Sequence, residues 1–195
     1  MIFHAIIADT FRPFLSDPEV PQRLASFQAP TASPKAAYAA SINQLKRLML
    51  LARIYFPMNS CSAMGKTGLL YVANAMMAEV SSQDLSWQFY LRLCFVGFED
   101  LHESFRVYGT LSEAVLGMAL QRKAITKRQA TAAKSELQAA SELHRAVADL
   151  CDGKIDTECV IDLGLALKDC PAAQMEAMAD RFRALDLEEI DSGEK

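Results

Sequence analysis

Gly65-Lys66-Thr67 is the tripeptide with the most chemical promise in this chain, because a glycine, a lysine and a hydroxyl together can hold a phosphate. A phosphate-binding loop needs G-x-x-x-x-G-K-[ST] after a β-strand, so that flexible backbone amides wrap the anion. Here the first glycine position is Ser60, and the preceding run, Leu48 to Phe56, is the tail of a helical pattern that begins near Pro34. A second acidic strand would be sought in Phe95-Val96-Gly97-Phe98-Glu99-Asp100, which also lies inside a helical pattern. Nucleotide binding therefore stands only as an alternative. Glu99, His102 and Glu103 share one helical face by their i, i+3 and i+4 spacing. Di-iron bundles use such a Glu-x-x-His pair, but in two copies with two further carboxylates. The only other pairing, Glu142 with His144, is two residues apart and points to different faces. The triplet reads as a polar helical turn rather than a metal centre. His4 and His144 have no cysteine or serine beside them in a nucleophile setting and read as structural or surface residues. Trp87, Phe89, Tyr90, Phe95 and Phe98 could line a small-molecule pocket, but at helical spacing they read as core. No catalytic, cofactor-binding or metal-binding residue is expected, and no enzyme.

The elements that would carry these residues are helices. Ile2 to about Phe14 reads as one, ended with the help of Pro13. Residues 16–34 hold four prolines and read as a loop. Ser33 then offers an N-cap before Pro34 at the first helical position. The helix that follows stacks Tyr38, Ile42, Leu45, Met49, Ala52 and Phe56 on one stripe, with Lys46, Arg47 and Arg53 largely off it, and Pro57 stops it. Ala63 to about Val80 is the next helix. Asp84 is placed to cap Leu85 to about Val107, apolar nearly all round and expected to be central. Thr110 is the expected cap of Leu111 to Arg122. Thr126 is the expected cap of an amphipathic helix reaching Leu150, with Ala130, Ala133, Leu137, Ala140, Leu143, Val147 and Leu150 inward. Two short helices are expected near Thr157–Lys168 and Pro171–Leu185, and residues 186–195 form an acidic tail expected to be disordered. The whole predicts an all-α, multi-helix array of about eight helices around one core, with no sheet, spanning residues 1–185.

Composition narrows the class. Of 195 residues, 51% are hydrophobic, enough to bury a sizeable core. The five cysteines (61, 94, 151, 159 and 170) are odd in number and never form C-x-x-C, which favours reduced intracellular thiols over disulfides or structural zinc. No run of 18 apolar residues occurs, so no membrane span is expected. The opening Met1 to Leu15 resembles the middle of a helix more than a signal peptide, and the chain reads as a fragment or a truncated gene product. Residues 1–148 hold 15 basic and 11 acidic side chains, net +4, whereas residues 149–195 hold 5 and 13, net −8. The one basic run, Arg122, Lys123, Lys127, Arg128 and Lys134, is spread over more than three turns and reads as a solvated face, so direct DNA contact is not expected.

Four stretches, in order, resemble one family. Phe11-Arg12-Pro13-Phe14, after a helix carrying His4, is similar to an F-R-P-F helix ending. Ala40-Ser41-Ile42-Asn43-Gln44-Leu45 is similar to an A-x-x-I helix start. Leu69 to Met77 is close to A-L-L-Y-V-A-N-A-x. Phe89-Tyr90-Leu91 with Leu93-Cys94 and Gly97-Phe98-Glu99-Asp100-Leu101 resembles F-Y-F-x-L-C-x-x-G-Y-x-x-L. Together they resemble the fungal binuclear zinc cluster transcription factors, in the C-terminal half of the fungal-specific transcription factor regulatory domain. Where that family usually enters the third motif through an aromatic residue and His-Thr, this chain has Met64-Gly65-Lys66-Thr67. The six-cysteine DNA-binding zinc cluster, its coiled-coil linker and the front half of the regulatory domain have no counterpart here.

The resemblance implies a non-enzymatic regulatory region of a nuclear transcription factor, acting through an effector or co-regulators. Its expected partners are transcriptional co-regulators or the missing N-terminal part of the same regulator, with a small-molecule effector as a further candidate. It implies no cofactor and carries over neither zinc nor DNA contact. The tail, with Leu185, Leu187 and Ile190 among acids, reads as a soluble terminus before it reads as an activation segment. The competing reading is a stand-alone helical interaction module.

Overall fold

The fold was analysed in a computed structural model, which describes residues 1–15, 32–55, 63–81, 85–104, 108–145 and 159–185. It is all-α: seven α-helices and no strand among the described residues, against the eight helices expected. The chain forms two compact units, Met1–Ala75 and Met76–Lys195, with the boundary inside the third helix.

In the first unit, α1 spans Ile2–Phe11 and tightens into a 3-10 turn at Arg12–Leu15, somewhat earlier than the expected end at Phe14. Pro13 has no N–H to donate into another α turn, so the tighter winding follows from its chemistry. The second helix, α2 (Pro34–Tyr55), starts as the serine–proline pair dictates: Ser33 Oγ accepts from the Ala36 N–H at 3.2 Å, and Pro34 sits at the first position. It packs against α1 through Ile42, Leu45 and Met49, three of the expected stripe positions. Lys46 departs from expectation: it is only 9% exposed, although its charge argues for solvent. Phe56 and Pro57 lie outside the described residues. The third helix, α3, spans Ala63–Ala78.

The second unit is built on α5 (Tyr108–Gln121), flanked by α4 (Ser86–Ser104), α6 (Lys127–Arg145) and α7 (Met175–Arg183). This corrects the expected centre. The α4 helix is one-sided, burying Trp87, Leu91, Cys94, Phe98 and Leu101 while Phe89 stands 55% exposed. It is α5 that is buried all round, from Tyr108 through Ala119. Thr110 consequently lies inside α5 instead of capping it, and Asp84 falls outside the described residues. Against α5 lies the amphipathic α7, whose Met175, Met178, Ala179 and Phe182 fall at i, i+3, i+4 and i+7 and are all buried.

Gly117 permits this contact: a Cβ there would lie 3.0 Å from Phe182 Cβ and 3.4 Å from the Met178 carbonyl oxygen. Phe182 is fully buried among Leu116, Ala130 and Leu137, with Phe95, Leu120, Ile125 and Ala133 around them. Burying a side chain of that size contributes about 2–3 kcal/mol.

The corner between α5 and α6 is closed by two devices in succession. Lys123 adopts a left-handed backbone, φ 57°, and the Ala124 and Lys123 N–H groups donate to the carbonyls of Ala119 (2.8 Å) and Leu120 (3.0 Å). That is the double bond of a Schellman ending, with lysine where glycine is usual. Thr126 then caps α6 as expected, in a reciprocal box. Its Oγ1 accepts from the Gln129 N–H at 3.2 Å while Gln129 Oε1 accepts from the Thr126 N–H at 2.8 Å.

The expected helix at Thr157–Lys168 does not form in its described part. Residues 159–162 run extended beside 173–175, with Ile161 N–H donating to the Ala173 carbonyl and Met175 N–H to that of Cys159, both at 2.8 Å. The Asp162 carboxylate takes the Gly164 and Leu165 N–H groups at 3.0 and 2.8 Å, and Arg122 Nη2 at 2.6 Å. An aspartate that captures the next amides competes with helix propagation, and only a single 3-10 turn, Leu165–Leu167, survives. Likewise Pro171 opens a separate 3-10 turn, Pro171–Ala173, and Gln174 is extended (ψ 155°) before α7 begins, so the expected Pro171–Leu185 helix is split.

Two substitutions test this account by urea unfolding of the full chain. Gly117→Ala is expected to destabilise by about 1–3 kcal/mol, because the added methyl would press on Phe182 Cβ at 3.0 Å and on the Met178 carbonyl oxygen at 3.4 Å. Lys123→Gly is expected to stabilise by about 0.5–1 kcal/mol, the left-handed penalty of lysine outweighing the entropy that glycine adds to the unfolded chain.

Candidate functional site

A polar cluster in the first unit grows from the end of α1. Asp9 and Arg12 are three residues apart, so consecutive turns bring their side chains together, and Arg12 Nη1 donates to Asp9 Oδ1 at 2.9 Å. The 3-10 turn then aims the Arg12 guanidinium over the ring of Tyr71 on α3, 5.0 Å from its centroid. Arg12 is only 12% exposed at its side chain, so this cation–π contact forms away from most of the solvent. On the same helix Leu69, Leu70, Val72 and Ala73 are buried, and Asn74 Nδ2 donates to the Leu70 carbonyl at 3.0 Å.

Burial pushes the Tyr71 hydroxyl above its ordinary pKa, and the Asp9 carboxylate pushes it further the same way, while Arg12 pulls it down. A phenol so held is a neutral hydrogen-bonding group at physiological pH. The cluster holds a cation, a carboxylate and a neutral phenol in mutual compensation. That arrangement ties the Phe11–Phe14 segment to α3.

The other sequence candidates are scattered. Gly65, Lys66 and Thr67 lie in the opening turns of α3, and Leu48–Tyr55 is helical, so the strand that a phosphate loop requires is replaced by a helix; Ser60 lies outside the described residues. On α4, Glu99 is half-buried and His102 fully buried; the Glu103 side chain is outside what the structure describes. The His102 ring occupies the space above Gly109, whose Cβ would come within 2.8 Å of the ring Cε1. This histidine fills the gap between α4 and α5. His4 is half-buried and meets Phe3 edge to face at 5.2 Å, and the side chains of Glu142 and His144 are not described.

The aromatic set divides: Trp87 and Phe98 are buried, whereas Phe89 points outward and meets Tyr90 edge to face at 5.1 Å. Among the described residues, no three His, Cys, Asp or Glu side chains gather to hold a metal ion, and no helix is long and apolar enough to cross a membrane. Of the described cysteines, Cys94 is buried, Cys159 half-buried and Cys170 exposed, all as thiols. In the basic run, Arg122 is bound to Asp162, and Lys134 lies over the Phe182 ring at 5.8 Å. The cluster around Tyr71 has no place in the sequence reading: the i, i+3 spacing of Asp9 and Arg12 is the one local signal that could have pointed to it, and nothing local assigns Tyr71 to it.

Tyr71 links the cluster to pH. Its raised folded-state pKa means that the stabilisation is fully present below the unfolded value of 10.0 and is lost as pH rises through the folded value. Tyr71→Phe is therefore expected to lose less stability than the wild type when unfolding is compared from neutral pH to above pH 10, and its phenolate absorbance titration should lack a late component. Equal losses in the two proteins would remove the burial argument. Compared with family models, with curated proteins and with solved structures, the chain matches none of them.

Proposed function

We propose that this chain is a non-enzymatic regulatory region of a fungal transcription factor, acting in the nucleus through co-regulator or effector binding and without a DNA-binding module of its own. The observation that carries the reading is the Arg12–Tyr71 contact. It joins Phe11-Arg12-Pro13-Phe14 to Leu69–Met77, two of the stretches on which the family resemblance rests and which are distant in sequence. Buried Ser41, Ile42 and Leu45 on α2, and Leu91, Cys94, Phe98 and Leu101 on α4, give the other two stretches packing roles of the same kind.

Fusion of the full chain to a heterologous DNA-binding module, with a reporter gene downstream, tests the proposal. A several-fold change in transcription relative to the module alone is expected, with Lys66→Ala behaving as the wild type. An unchanged reporter would overturn it. Direct titration with ATP and GTP separates the nucleotide-binding alternative: no difference between wild type and Lys66→Ala is expected.

The stand-alone interaction module makes a different physical prediction. The outward side of α1 carries Phe3 at 68% and Ile6 at 60% exposure, beside exposed Ile2. Large apolar side chains gathered on a free surface drive association. The partial regulatory domain is therefore expected to self-associate on size-exclusion chromatography, and Phe3→Asp with Ile6→Asp to reduce this. A monodisperse wild-type chain would favour the stand-alone module.

A further inference from the structure

We draw no further inference here: the strongest candidate, the outward apolar face of α1 formed by Ile2, Phe3 and Ile6, carries nothing because no feature of the structure shows what covers it.

Discussion

The missing side chain at residue 117 sets the terms for the second unit. With no Cβ on α5 at that point, α7 can settle until Phe182 touches the α5 backbone, and the fully buried Ala114 and Ala179 keep the two helices close on either side. Close approach multiplies weak dispersion contacts, each about 0.1–0.2 kcal/mol, into a substantial sum. The benefit spreads outward from there. Phe182 reaches Leu116, Ala130 and Leu137, Lys134 covers its ring, and at the solvent edge Arg183 pairs with Glu113 at 2.7 Å. That edge pair adds little, since exposed ion pairs contribute about 0–1 kcal/mol.

The first unit is organised differently. Its α1 is apolar on nearly every side, burying Ala5 and Ala8 while leaving Ile2, Phe3 and Ile6 outward. A helix of that character has no preferred inward stripe, and small residues have to decide its orientation. What pins its end is polar: the Asp9–Arg12 pair and the guanidinium lying on Tyr71. A cation mostly withdrawn from water needs its partners in place, so this contact fixes geometry more than it adds stability.

Helix periodicity and local capping made much of this architecture legible in the sequence. Ser33 before Pro34 and Thr126 with Gln129 are complete within four residues, and the structure uses both. The failures are just as physical. The pattern in 157–168 looked helical, but the Asp162 side chain takes the amides that a helix would need, and Arg122, forty residues away, holds it there. The central role of α5 is not legible in the sequence, because its small residues, Ala114, Gly117 and Ala119, give a weaker apolar signal than the aromatics of α4. Small residues are what let a helix be surrounded. The charge of Lys46 argues for solvent, yet a long lysine stem can cross a buried side, and the residue is buried. The candidate cluster is absent from the sequence reading, because its aromatic partner is a tertiary fact.

The α5–α6 corner has a consequence for how the chain is made. Its Schellman bonds and its capping box all fall within residues 119–129, so the helical hairpin can close as soon as both arms have left the ribosome. Phe182, which seals the groove over Leu116 and Leu137, is synthesised 37 residues after Arg145 closes α6 (182 − 145), roughly 2–7 s at ordinary translation speeds. For that interval the nascent hairpin presents an open apolar seam, which closes only when α7 arrives.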